Sequence, residues 1–82
     1  MARKVFVKVL AEFDLQGKLA PRVLFWEDGR RFEIDRVLDV RRAASLKVGG
    51  SGMRYTCRIQ GRPVYLFQDG NQWYVEGADD SP

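Results

Sequence analysis

Basic residues without neighbouring carboxylates fill the middle of the chain, and such residues bind anions. Between Val40 and Gln68 the sequence has six basic residues and no acidic residue. The six are Arg41, Arg42, Lys47, Arg54, Arg58 and Arg62. The whole chain has a net charge of +3, so the remainder is at −3 and the positive charge is concentrated in this stretch. That distribution favours an anionic partner.

A glycine-rich run lies within the same stretch, at residues 49–52, shortly after Lys47. Its spacing is not that of a phosphate-binding P-loop, and no helical pattern follows it to present an N-terminus to phosphate. Backbone amides in such a run can form an anion-binding nest. The simpler interpretation, which we favour, is a flexible connector between two strands.

Catalytic chemistry has few candidate residues in this sequence. Histidine is absent, which removes the commonest general base and the commonest metal ligand. Cys57 is the only cysteine, so no internal disulfide and no structural zinc site can form. Its place on the apolar side of a strand predicts an inert, buried thiol. We therefore predict no catalytic residue, no cofactor and no metal site.

Three carboxylates offer the remaining enzymatic possibility. Glu33, Asp35 and Asp39 would lie on one side of a regular strand, where two of them could perform acid–base chemistry or hold a divalent ion. Basic residues alternate with them, including Arg31 and Arg36. A solvated face with cross-strand ion pairs is the interpretation that we favour, and the chain is not predicted to be an enzyme.

An alternation of apolar and polar residues with a period of two predicts the strands that position these side chains. It is clearest from Val5 to Phe13 and from Met53 to Gln60. Further strands are predicted over residues 21–27, 30–40, 64–68 and 72–76, with turns at 14–18, 28–29, 61 and 69–71. No segment predicts a helix.

Two irregularities interrupt this pattern. Arg36 occupies a position where the third strand requires an apolar residue, and a β-bulge near Asp35 and Arg36 would turn Arg36 outward and Val37 inward. Residues 41–52 have no convincing period and predict one long glycine-rich loop.

The predicted fold is all-β. About six antiparallel strands follow one another in a meander that curls into a small barrel or a strongly bent sheet, because open sheet edges are a liability. Residues 1–77 are predicted to form this single domain, and residues 78–82 a flexible acidic tail. Strand order and oligomeric state are left open.

The basic half supports the first functional hypothesis, a binding module for single-stranded nucleic acid or another polyanion. Arg54 and Arg58 lie on the outward face of one predicted strand, and the predicted site consists of Arg41, Arg42, Lys47, Arg54 and Arg58. Tyr65, Phe67 and Tyr74 are candidate rings for base stacking. The structural alternative is that the charges solubilise an exposed face while the rings belong to the core.

The second hypothesis is a protein interaction module. Small barrels of the SH3 type dock extended peptides on exposed aromatic residues, and Trp26 or the Tyr65 and Phe67 pair would suit that role. A basic loop would then select an acidic partner.

No membrane role is predicted, because no apolar run approaches the roughly 20 residues of a transmembrane helix. The N-terminal residues lack the uninterrupted apolar segment of a signal peptide, since Lys8 lies within the first strand. With one cysteine, the composition suits a reducing compartment, so we predict a cytoplasmic protein.

Several segments also carry a resemblance. They are WEDGRRF at residues 26–32 followed by residues 34–42, RYTCRI at 54–59, YLF at 65–67 and QWYV at 72–75. Across nearly its whole length the chain resembles a group of small, functionally uncharacterised bacterial proteins of clostridial type. The resemblance implies a free-standing cytoplasmic β domain, and it brings no activity, cofactor or functional residue.

Overall fold

The computed structural model describes residues 2–43 and 52–78, which form one antiparallel sheet of seven strands. The strands are β1 (Ala2–Phe13), β2 (Leu19–Phe25), β3 (Arg31–Glu33), β4 (Arg36–Arg42), β5 (Met53–Ile59), β6 (Arg62–Asp69) and β7 (Gln72–Ala78). The described part of the chain contains no helix. The prediction of an all-β, antiparallel fold is confirmed.

The order of strands across the sheet is β3-β2-β1-β7-β6-β5-β4. Consecutive strands therefore pair as neighbours except β3 and β4, and β1 also pairs with β7. β3 and β4 lie at opposite ends of this order, yet only Ile34 and Asp35 separate them along the chain. The two ends of the sheet must therefore approach each other. The backbone N–H of Ile34 donates to the carbonyl of Arg22 in β2, and that of Asp35 donates to the carbonyl of Arg58 in β5, both at 2.9 Å.

This two-residue link curls the meander into a half-barrel, which confirms the predicted bent sheet. It also explains why there are seven strands and not six. The third predicted strand divides at the link, because its first half pairs with β2 and its second half with β5.

The predicted bulge near Asp35 is replaced by this division and by a register shift between Val37 and Asp39. Arg36 is exposed and Val37 packs against the core, as the bulge hypothesis required. Leu38 and Val40, in contrast, fit the predicted apolar phase but are 43% and 46% exposed. Leu38 lies within the shift and Val40 beyond it, on a strand at the end of the described sheet, where no further described strand covers them.

The core lies on the concave side of the half-barrel. Alternation along each strand sends every second side chain there, and the buried cluster consists of Val5, Leu24, Ile34, Tyr55, Cys57, Ile59, Leu66, Trp73 and Val75. The rings of Tyr55 and Trp73 pack at 5.2 Å between centroids. Full burial of one large apolar side chain stabilises a fold by about 1.5–3 kcal/mol, so this cluster is the main source of stability.

Two turn features follow from backbone conformation. Gln60 and Gly61 both have positive φ, 52° and 77°, which is the type I′ geometry that joins β5 to β6 in a tight hairpin. Gly52 has φ 125° and precedes β5, and its carbonyl accepts a hydrogen bond from the N–H of Ala43. Most of the predicted glycine-rich loop, residues 44–51, lies outside the described residues.

The surroundings of Gly52 yield a stability prediction. A Cβ atom at this position would overlap the backbone carbonyl oxygen of Gln68, whereas a Cβ atom at Gly61 would meet nothing within 4 Å. Both substitutions to alanine incur the strain of positive φ, about 1–2 kcal/mol. We expect Gly52→Ala to lower the free energy of unfolding by about 1–3 kcal/mol more than Gly61→Ala, because the overlap forces the backbone to move. Urea denaturation of both variants measures the difference, and equal losses would contradict the close approach.

Candidate functional site: a basic and aromatic convex face

The outward side of the sheet gathers arginines and aromatic rings through simple strand alternation. In β5, Tyr55, Cys57 and Ile59 are buried on the concave side. The intervening side chains, Arg54 and Arg58 among them, therefore project from the convex side. The same alternation in the neighbouring strands decides which side chains accompany these two arginines.

Strand register aligns five of these outward side chains in one row across the sheet. Pairing is direct at each step from β4 through β5, β6 and β7 to β1, and the row reads Arg41, Arg54, Phe67, Tyr74 and Phe6. Together with Lys4, Arg36, Arg58 and Tyr65, which flank the row on the same side, these residues define the convex patch. The patch joins arginines on β4 and β5 to aromatic rings on β6, β7 and β1.

The rings of the convex patch form a continuous chain of contacts. Phe67 and Tyr74 stack at 5.1 Å with an interplanar angle of 12°. Phe6 meets Tyr74 edge-on at 6.0 Å, and Tyr65 meets Phe67 edge-on at 6.5 Å. Such pairs stabilise by about 0.5–1.5 kcal/mol beyond the area that they bury. The chain of rings thus makes a second, smaller apolar cluster outside the main core.

Only part of this aromatic cluster is accessible to a ligand. Phe67 and Tyr74 are buried, so their prediction as stacking rings is wrong, because neighbouring side chains cover them. Tyr65 is 47% exposed and keeps its candidate role. Phe6 is 54% exposed and was not among the predicted stacking rings. The sequence does carry a signal for this role, because Phe6 is an apolar residue on the mainly polar, outward side of β1.

Two cations lie over rings in this patch. The Arg54 guanidinium is 4.5 Å from the centroid of the Tyr65 ring, and the Lys4 ammonium is 4.9 Å from that of Tyr74. Each such contact is worth about 0.5–1 kcal/mol at an exposed site. The buried Nε of Arg54 and the buried hydroxyl of Tyr74 have no hydrogen-bond partner among the described residues. Burial raises the pKa of Tyr74, and the charges of Asp69 and Glu76 add to the effect.

The arginines of β4 and β5 face one another in like-charge pairs. Arg41 lies opposite Arg54, and Arg36 lies opposite Arg58. Like charges directly opposite each other destabilise a sheet. Asp39 relieves the first pair, since the Nε of Arg41 donates to its Oδ2 at 2.7 Å. This hydrogen bond lowers the pKa of the Asp39 carboxyl and raises the pKa of the Arg41 guanidinium.

The structure brings together three of the five residues predicted for the polyanion site. Arg41, Arg54 and Arg58 share the convex patch. Arg41 and Arg42 were predicted to lie in a loop, but both belong to β4, because they pair with Arg54 and Met53 of β5. Arg42 is opposite the inward-phase Met53 and thus does not join the patch.

Lys47, the fifth predicted residue, lies outside the described residues. Arg62 lies between the turn predicted at residue 61 and the strand predicted from residue 64, and the structure makes it the first residue of β6. Arg36 was overlooked as a site residue, although its outward turn was part of the bulge hypothesis.

The three carboxylates do not form one cluster. β3 ends at Glu33 and β4 begins at Arg36, so the break in the strand separates Glu33 from Asp39. The favoured interpretation of cross-strand ion pairs needs a correction, because each partner is two residues away on the same strand. Glu33 lies 3.7 Å from Arg31, and Asp39 lies beside Arg41. Within residues 2–43 and 52–78, no group of three potential ligands could hold a metal ion.

Cys57 is fully buried on the concave side, as its phase predicted. Burial raises the pKa of its thiol from 9.0 to about 11, so the reactive thiolate is disfavoured at neutral pH. The thiol thus packs as a small apolar group.

Comparisons with known proteins give no family for this chain. No family model matches it, and neither does any curated protein or any solved structure. The resemblance to clostridial-type proteins stays a prediction. No helix long and apolar enough to cross a membrane occurs in the described parts of the chain.

The arginine pair of Arg36 and Arg58 yields a second stability prediction. We expect Arg58→Thr to raise the free energy of unfolding by about 0.2–1 kcal/mol at low salt, because it removes a like-charge pair and introduces a β-branched residue. The electrostatic part of the gain should shrink in concentrated salt. Arg22→Thr is the matched control, since Arg22 is an exposed strand arginine that lies 3.1 Å from Glu12 and loses an attraction. A gain of the same size in the control would contradict the repulsion.

The buried thiol gives a third prediction. Native protein should not react with a thiol reagent at mildly alkaline pH, and unfolding in guanidinium chloride should expose one reactive group per chain. The folded pKa is raised, so the stability linked to Cys57 is complete below pH 9.0 and declines as the pH rises towards about 11. In Cys57→Ala this decline should be shallower. Rapid labelling of the native protein would show that the thiol is accessible.

Proposed function

We propose that the chain binds single-stranded nucleic acid on the convex patch. The observation that carries this proposal is the two pairs of arginines that face each other across β4 and β5, one of which adjoins a half-exposed tyrosine ring. The convex patch combines positive charge for phosphates with an accessible ring for a base. Sequence-tolerant single-strand binders use these two components.

Electrostatics favour an anionic ligand at these arginines. In the free protein, Arg36 and Arg58 repel each other, and no ion pair of either residue occurs among the described residues. A phosphate between two guanidinium groups converts that repulsion into two charge-assisted contacts. Arg58 is four positions from Arg54 on one strand, roughly 13 Å along it at the usual rise per residue, so several nucleotides would span both pairs.

The aromatic part of the patch favours single strands over duplexes. Tyr65 presents half of its surface beside the Arg54 guanidinium, so an unstacked base can extend the same stack. Proteins that read a DNA duplex usually insert a helix or a two-stranded ribbon into its major groove. The convex patch, in contrast, is a broad sheet face. The net charge of +3 is also small for tight duplex binding, which rests on many phosphate contacts.

A protein partner is the second candidate, favoured by apolar side chains along the outer side of β1. Phe6 and Leu10 are both exposed there, and Lys8 lies between them on the same side of the strand. A row that alternates apolar and basic groups would suit an acidic segment with aromatic or aliphatic anchors.

Fluorescence anisotropy with a labelled single strand of DNA or RNA tests the main proposal. We expect binding at micromolar protein and low salt. The variant with Arg54→Ala and Arg58→Ala should bind more weakly, and its plot of log K against log salt should be less steep by about 1.4, which is about 0.7 for each lost phosphate contact. The control, Lys18→Ala with Arg30→Ala, removes the same charge from two turns outside the patch and should keep most of the affinity. No binding by the unmodified protein would refute the proposal.

A second variant separates nucleic acid from polyanions in general. Tyr65→Ala should weaken single-strand binding about fivefold or more, because a base loses its stacking partner. The same variant should bind inorganic polyphosphate as well as the unmodified protein does. Equal effects on both ligands would reduce the function to polyanion binding. Preference for an acidic, aromatic peptide over nucleic acid would favour the protein partner.

A further inference from the structure

A cavity opens at the concave end of the half-barrel, on the side of the sheet opposite to the convex patch. Its volume is about 340 Å³. Nine residues line it, and the six apolar ones are Leu24, Trp26, Phe32, Ile59, Val64 and Val75. We call it the mouth cavity. Small-molecule sites occupy about 300–1,000 Å³, are mostly apolar, and often lie in the mouths of barrels, so its size and lining are those of a site for a small ligand.

The cavity exists because the half-barrel closes around its core without filling one end. Leu24 and Phe32 come from the paired strands β2 and β3, whereas Ile59 and Val64 come from β5 and β6. The link at Ile34 and Asp35 brings these two groups of strands towards each other, and their side chains share one core cluster. β3 has three residues, so it cannot cover the space in front of the core.

One basic residue, Arg62, lies at the rim of the mouth cavity. Arg62 lines the cavity, pairs with Ile59, and shares the inward phase of β6 with Val64 and the fully buried Leu66. Its side chain is thus on the concave side, apart from the arginines of the convex patch. Glu76 also lines the cavity, but the alternation of β7 puts its side chain on the same side as Tyr74, whose pKa it helps to raise.

We propose that the mouth cavity binds a small carboxylate with an apolar tail, of the medium-chain fatty acid class. The tail lies among Trp26, Phe32 and the aliphatic side chains, and the carboxylate accepts hydrogen bonds from the Arg62 guanidinium at the rim. Arginine matches a carboxylate in a bidentate geometry, which fixes the orientation of the ligand with its head outward. The cavity is at the small end of the range for ligand sites, so long acyl chains do not fit.

This site is independent of the proposed nucleic acid site, because the two occupy opposite faces of the same sheet. Among the described basic residues of the acid-free stretch, Arg62 is the one that lines the mouth cavity. Variants on one face therefore serve as controls for the other.

A titration with sodium hexanoate, heptanoate and octanoate, followed by NMR of the Ile59, Val64 and Val75 methyl groups, tests the proposal. We expect these methyl signals to shift and the affinity to rise about fourfold for each added methylene, as burial of a CH₂ group predicts. Arg62→Gln should weaken octanoate binding about tenfold and leave 1-octanol binding nearly unchanged, because only the carboxylate uses the guanidinium. Arg58→Gln, on the convex patch, should change neither.

A filling variant provides the second measurement. Val64 is only partly buried at the rim, so Val64→Trp should occupy the cavity and abolish binding of both octanoate and 1-octanol, while circular dichroism reports whether the sheet is retained. The Arg62→Gln comparison stands even where this variant does not fold. Affinity independent of chain length, equal losses in Arg62→Gln and Arg58→Gln, or full binding by a folded Val64→Trp would each overturn the proposal.

Discussion

The two-residue link between β3 and β4 is the constraint on which the rest of the structure depends. Ile34 and Asp35 each contribute one backbone hydrogen bond, to β2 and to β5. Since these strands belong to opposite ends of the sheet order, the link forces the sheet to curl. Curling gives the sheet an inside and an outside. The inside becomes a packed core with one incompletely filled end. The outside becomes a broad face on which exposed side chains pack against one another.

On the outer face, basic side chains pack over aromatic rings. Phe67 and Tyr74 project away from the core and are nevertheless buried, beneath neighbours that include Phe6, Lys4 and the Arg54–Tyr65 pair. Long basic side chains cover apolar surface with their stems while their charged ends reach water. The basic residues of this face are therefore structural as well as electrostatic. The like-charge arginine pairs oppose stability, and local costs of this kind are typical of functional sites such as the one proposed here.

Strand alternation made much of the fold predictable from sequence. The phases of β1 and β5, the Asp28-Gly29 turn and the inward position of Cys57 follow from local pattern and are confirmed. The meeting of Arg41 with Arg54 did not follow, because it requires β4 to extend beyond the apolar pattern into residues that read as a loop. Residues 41–52 were predicted to form a loop, whereas strand pairing brings Arg41 to Arg54. Exposure of Leu38 and Val40 was also unpredictable, since it depends on a register shift and on the end of the sheet.

The half-barrel leaves two strand edges without a neighbour in the described sheet, and their character bears on self-association. An exposed edge is a template for pairing with another chain, which leads to aggregation. β3 presents only three residues, too few to recruit a partner strand firmly. β4 is longer, but three of its seven residues are arginines, so two copies brought edge to edge would repel each other. The same arginines that form the proposed anion site thus also oppose pairing between two β4 edges.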